Sequence, residues 1–247
     1  MNTDTPKVLH EVCGRPMLSY VLDACRQAGI KRLLVVIGFG AEQVKELFIG
    51  AEDIIWVLQD EQKGTAHAVM CCREYLADFE GQTFVLCGDG PLIRPEILKT
   101  LVERHEADRS AATLATAVLD DPTGYGRIVR DSAGGIRGIV EHNDCTGKQL
   151  SIREVNPSYY LFDNRVLFEV LEKVRPDNVK NEYYLTDAIS IIIESGQKVS
   201  AVTAVRPEEA MSANNREQLR EMNRIMQQRF ESGQLEIKAR PQEDIRR

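Results

Sequence analysis

No stretch of the 247-residue chain approaches the roughly 18 apolar residues that a membrane span requires, so a membrane-crossing helix is not expected. The N-terminus, MNTDTPKVLHE, lacks the basic-then-apolar character of a targeting segment. None of the six cysteines falls in a CxxC pair or has a spaced histidine partner, which argues against zinc. With no secretory leader, six thiols read as reduced, mostly buried cysteines of a cytoplasmic protein. Basic residues are outnumbered, 31 Lys and Arg against 38 Asp and Glu, giving a net charge of −7. That balance excludes nucleic acid as the main partner, since phosphate backbones are gripped by clustered cations. Internal repeats and low-complexity tracts are also missing, and so is the hexapeptide period of a left-handed β-helix.

What remains is an ordinary globular balance, 43% hydrophobic and 28% charged, sufficient for one large α/β domain. Residues 16–28 (PMLSYVLDACRQA) place Met17, Leu18, Val21, Leu22 and Cys25 on one helical face, and Gly29 closes it. RLLVVI (32–37) is a short β-branched run of the kind that marks a strand buried on both sides. A helix over 41–48, a strand over 54–58, a helix over 66–77, a strand over 83–87 and a helix over 94–106 follow. Strands alternating with helices at this spacing predict a doubly wound, mostly parallel sheet with ligand loops at the strand C-termini. Beyond residue 110 the rhythm shortens. AATLATAVL, GRIVRD, GIRGIVEH and SIREVNPSYYLFD predict a small antiparallel lobe over the binding edge. Helices near 164–174 and 183–195, a strand KVSAVTAV and a helix over 215–231 complete the domain. The expected division is a domain over 1–231 and a polar tail over 232–247.

Three places carry chemistry. TFVLC runs into Gly88-Asp89-Gly90-Pro91, which sets a carboxylate just past a strand end. Asp89 there is either a turn former or a hard oxygen ligand for Mg²⁺. Gln59-Asp60-Glu61-Gln62-Lys63-Gly64-Thr65-Ala66-His67 directly follows the earlier strand IIWVL (54–58). The Gln59 amide can pair with a base edge, Gly64 lets a ligand approach the backbone, and Thr65 can cap the following helix. The alternative is a polar connection with a cap, and His67 reads as structural. Lys7, beside an apolar pair, is either solvated or a point charge for a phosphate.

Taken together and in order, PKVLHEVCGRPML, QDEQKGTAHAV, GDGPLI, DPTGYGRIVRD, IVEHNDCT, EVNPSYYLFD, NEYYLTDA and SANNREQL resemble the bacterial N-acetylglucosamine-1-phosphate uridylyltransferase family. The likeness is to the nucleotidyltransferase domain of the bifunctional enzyme and covers about residues 1–220. It implies a Rossmann-like nucleotide-diphospho-sugar transferase fold, α/β, with a mixed and mostly parallel sheet. UTP and N-acetylglucosamine-1-phosphate would be the substrates and Mg²⁺ the cofactor, with an oligomer left open. Lys7 would contact phosphate as the catalytic cation, and Gln59, Gly64, Thr65 and Gly88 would hold the nucleotide. Asp89 and Asn214 would bind Mg²⁺, while Gly126, Glu141 and Asn156 would fix the amino sugar.

The family pattern opens with a buried strand and a glycine-rich turn, LAAGxGTRM, and Met1 aligns with its last residue. The resemblance therefore implies that a central strand and a phosphate-gripping loop are missing, which leaves two neighbouring strands with unpaired edges. Two readings follow: a start further upstream, or a degenerate homologue with impaired catalysis that binds ligand. Another sugar-1-phosphate nucleotidyltransferase is the rival within the class. Cys87, Gly90 and Asn156-Pro157-Ser158 differ from the family's usual Tyr, Val and Asn-Thr-Gly. Without the β-helix half, acetyl transfer is not expected from this chain.

Overall fold

In the computed structural model, which describes residues 5–234, a 3₁₀ turn over Lys7–Leu9 leads into a tight hairpin. Strands β1 (Glu11–Val12) and β2 (Arg15–Pro16) are joined by Cys13 and Gly14, both at positive φ (47° and 75°), as a two-residue hairpin turn demands. Helix α1 (Met17–Gln27) then buries the predicted face through Met17, Leu18, Val21, Leu22 and Cys25. Strand β3 (Leu33–Ile37), helix α2 (Ala41–Leu47) and strand β4 (Ile54–Leu58) lie where the periodicity placed them. The helix predicted over 66–77 is instead two, α3 (Thr65–Met70) and α4 (Arg73–Leu76). Bonds from Cys72 N–H to Val69 O (2.9 Å) and Tyr75 N–H to Cys72 O (3.0 Å) tighten the chain there into a 3₁₀ step.

Strand β5 (Gln82–Leu86) and helix α5 (Pro95–Asp108) follow, then β6 (Ala112–Val118), β7 (Gly126–Arg130) and β8 (Ile136–Val140). A short helix α6 (Gly147–Leu150), not predicted, is started by a capping box between Thr146 and Gln149. The long strand β9 (Glu154–Asp163), helices α7 (Asn164–Leu171) and α8 (Leu185–Glu194), strand β10 (Val199–Val202) and helix α9 (Arg216–Glu231) end the described fold. Most of the predicted polar tail, residues 235–247, lies outside the described residues.

The principal sheet is mixed and runs β10-β6-β9-β7-β8, with β5 also on β9. Strands β5 and β6 are both antiparallel to β9, and β10 is parallel to β6, so these three share one sense. One edge of β9 serves two partners. Residues 159–163 pair with β5, whereas Val155 and Asn156 pair with β7. The antiparallel β7–β8 ribbon therefore leaves the sheet beside the C-terminal end of β5, where the predicted carboxylate loop begins.

Strands β3 and β4 form a separate parallel pair. Between β3 and β5 lies a cavity of about 710 Å³, lined by every residue of both strands. Leu18, Val21 and Leu22 of α1 wall it together with Val69 of α3. The expectation that 32–37 is buried on both sides is thus corrected: only Leu33 and Ile37 of β3 are buried, because one edge faces this cavity. The same opening leaves β5 without a fully buried residue.

Candidate active site

Lys7 starts a 3₁₀ turn (Lys7–Leu9) anchored by buried Leu9, and its side chain reaches back toward the end of β5. There the ammonium pairs with Asp89 Oδ2 and donates to Asn214 Oδ1 at 2.7 Å. Three residues from the two ends and the middle of the chain converge on one point. Asn214 is held in turn, its N–H donating to Gln218 Oε1 (2.8 Å) and its amide to Ser212 Oγ (3.2 Å). A Cβ at Gly88 would lie 3.3 Å from Val8 Cγ1, so a side chain there would crowd the segment that carries Lys7.

The donor set suits a hard divalent cation. A carboxylate oxygen and an amide oxygen already share one positive charge, the Lys7 ammonium, so a single cation can reach both. Among the described residues no cluster of three or more His, Cys, Asp or Glu could hold a metal. An ion here would need oxygens from a ligand, as Mg²⁺ takes from substrate phosphates. Beside this point, burial first and the Asp89 charge second hold the Cys87 thiol well above its ordinary value. Its S–H donates to Pro157 O (3.7 Å), and it stays a protonated neighbour rather than a nucleophile.

Gln59 follows β4 and is buried; its N–H donates to Ile37 O (2.8 Å), which extends the β3–β4 ladder. The side-chain amide donates to Gly64 O (3.2 Å) and meets His67 Nδ1 (2.9 Å). Gly64, at φ 113°, is required for a reason the sequence reading did not supply: a Cβ would sit 2.5 Å from Tyr183 O, so the chain itself comes close there. Thr65 also differs from expectation. It is the first residue of α3, and its hydroxyl accepts from Leu185 N–H (2.9 Å), capping α8 instead of the helix it begins.

A second cluster lies along β7, β8 and β9. Gly126 and Asn156 are register partners, and Glu141 follows β8 directly. A Cβ on Gly126 would meet Ile139 Cγ2 at 3.0 Å and Glu141 Oε2 at 3.5 Å. Burial pushes the Glu141 carboxyl up from its ordinary value, partly opposed by the bond from Thr186 Oγ1 (3.1 Å). Buried Asn156 donates to the Tyr160 hydroxyl and accepts from Ser158 N–H (3.2 Å). Ser158 itself has φ 64°, a left-handed conformation at the position where the resembled family has glycine.

Val8, Thr65, Gly88, Glu141, Ser158 and Thr186 all line the same cavity, which joins the two clusters. Sequence reasoning missed Thr186 and Tyr160 as partners of Glu141 and Asn156. Both lie inside the quoted motifs, but nothing in their spacing says which side chain they meet.

The nucleotidyl transferase family profile matches residues 2–206. The chain is 48% identical to "Bifunctional protein GlmU" of Geobacillus thermodenitrificans (strain NG80-2) over 230 residues, 93% of this chain and 50% of that protein. It is 43% identical to the protein of the same name from Listeria monocytogenes serovar 1/2a over 235 residues, 95% of this chain and 51% of that one. The chain thus spans about half the length of the curated relatives it matches. In three dimensions it is similar to apo UDP-glucose pyrophosphorylase, with a TM-score of 0.74 over 91% of each chain at 17% identity, a likeness of fold. With the family profile spanning most of the chain, and a carboxylate, an amide and an ammonium gathered at the end of β5, this protein belongs to the nucleotidyl transferase family.

Proposed function

We propose that this chain transfers a uridylyl group from UTP to N-acetylglucosamine-1-phosphate, giving UDP-N-acetylglucosamine and pyrophosphate. A phosphate oxygen of the sugar phosphate attacks the α-phosphorus in line, the bond to the β-phosphate oxygen breaks, and pyrophosphate departs. No covalent enzyme intermediate is needed, so the protein contributes position and charge. Asp89 and Asn214 would hold Mg²⁺, which supplies neutralisation of the phosphate oxygens when bound. Lys7 would move from its partners Asp89 and Asn214 to a phosphate oxygen. Gln59, Gly64, Thr65 and Gly88 form the nucleotide side, and Gly126, Glu141 and Asn156 the sugar side. The observation carrying this reading is the convergence of Lys7 on both Asp89 and Asn214. A second reading, ligand binding with impaired turnover, draws on the gap between β3 and β5, which interrupts the sheet beneath the binding edge.

Pyrophosphate release with UTP and N-acetylglucosamine-1-phosphate, compared with other nucleoside triphosphates and hexose phosphates, tests both. Asp89→Asn is expected to cut turnover by at least ~100-fold, the scale of losing a principal electrostatic stabiliser. Turnover that is Mg²⁺-dependent yet unchanged in that variant removes Asp89 from the mechanism. Ligand binding without turnover in the parent chain selects the second reading.

A further inference from the structure

A buried carboxylate outside the predicted site ties together the two segments that carry Asp89 and Asn214. Glu209 lies in the 3₁₀ turn Pro207–Ala210 and has no exposed surface (0%). Its Oε1 accepts from Arg94 Nε and, at 3.2 Å, from Arg229. Its Oε2 accepts from Arg206 N–H at 3.0 Å and from a second Arg94 nitrogen at 3.4 Å. Arg229, on α9 and buried, gives its other terminal nitrogen to Leu92 O at 2.7 Å. Leu92 and Arg94 follow Asp89 closely, and Glu209 shortly precedes Asn214. The backbone of the turn is held as well, with Tyr159 OH donating to Glu209 O (3.0 Å) and Tyr125 OH to Ala210 O (3.1 Å).

Such a cluster is a poor device for stability alone. Desolvating the charges offsets most of their attraction, and apolar side chains of similar volume often serve as well. Its particular property is direction, because the Arg94 guanidinium and a carboxylate lock two backbone segments at one separation. We propose that Glu209, with Arg94 and Arg229, is a positioning group. It sets the distance between Asp89 and Asn214 and thereby the affinity for the divalent cation they would share. The proposal rests on the reading of that pair as cation donors.

The test uses the full 247-residue chain and three variants, Glu209→Gln, Arg229→Met and Arg229→Lys. Melting curves, amide hydrogen exchange and Mn²⁺ titration by electron paramagnetic resonance with UTP present are compared. In Glu209→Gln and Arg229→Met, amides of segments 87–93 and 207–214 are expected to lose protection together, while β6 and β9 keep theirs. Mn²⁺ affinity is expected to fall by about 10–100-fold, the usual cost of losing a group that orients metal ligands. Arg229→Lys, which keeps a cation, should recover part of both. Should Glu209→Gln fail to fold, Arg229→Met decides on the same readouts. Unchanged affinity and unchanged exchange in a folded variant overturn the proposal, as does a uniform loss of protection over the whole chain, the mark of a merely structural role. A parent chain that binds no Mn²⁺ refutes the cation reading and the affinity claim with it, whereas the paired loosening of the two segments is still decided by exchange.

Discussion

At Glu141 burial of a candidate site carboxylate has an energetic consequence. Burial raises its carboxyl above the ordinary glutamate value of 4.5, so the folded protein holds that proton more tightly than the unfolded chain does. The sign follows from proton linkage. Where the folded state holds the proton more tightly than the unfolded chain, stability falls as pH rises from the ordinary value through the raised one, and the loss persists above it. Glu141→Gln removes that titration and keeps a polar group opposite Thr186. The variant should melt at a higher temperature than the parent at about pH 7, with the difference shrinking toward about pH 4. Melting curves at the two pH values check this. An equal difference at both would show that the carboxylate is not the source. Gly64 makes the complementary point, since its missing side chain serves the packing of Tyr183 on the loop that also carries Gln59.

Among the elements, α8 depends on a residue that is not its own. Its start, Tyr184, offers no capping side chain, and the hydroxyl of Thr65 on α3 satisfies the Leu185 N–H across 120 positions of sequence. Two neighbouring backbone bonds, Tyr183 N–H to Lys63 O (2.7 Å) and Ala66 N–H to Tyr183 O (2.9 Å), fasten the same junction. The loop after β4 and the segment before α8 therefore form one unit. Thr65→Ala should lower stability by about 0.5–2 kcal/mol, the range for losing a helix cap. Urea denaturation measures it, and exchange of the first amides of α8 locates it. A loss confined to α3 would contradict the assignment of the cap to α8.

Over the whole molecule the cavity between β3 and β5 dominates. Among the described residues each strand pairs along one edge only, and the other edges border about 710 Å³ of largely apolar space walled by residues of α1 and α3. Backbone groups left without partners in such a place are costly, and an extended chain is the form that pairs with both edges at once. A five-residue strand, roughly 16 Å long, has the right form. An apolar β-branched segment joined ahead of residue 1 should raise the melting temperature and protect the amides of Leu33–Ile37 and Gln82–Leu86. A proline-containing version of the segment should do neither, because it cannot complete both ladders. If exchange along both strands is the same with and without the segment, the cavity does not take a strand.

Periodicity alone located most helices and strands from α1 onward, because the apolar run of β9 and the apolar face of α1 are local consequences of what meets the core. Asp89 was recognisable as a carboxylate past a strand end for the same reason, being defined by its immediate neighbours. The split of α3 from α4 was not visible, since Cys71-Cys72 carries no helix-breaking residue. Other features depended on the packing of distant segments. Lys7 meets Asn214 across 207 positions only when α9 folds back on the hairpin, and Glu209 becomes a buried carboxylate only between Arg94 and Arg229. Local chemistry thus determined most of the elements, the loops and the candidates Lys7, Gln59, Gly64, Thr65 and Asp89, whereas Gly126, Glu141, Asn156 and Asn214 came from the family resemblance. Tertiary structure decided which of those residues share a charge, because a partner's identity depends on where the backbone brings it and not on any pattern within its own segment.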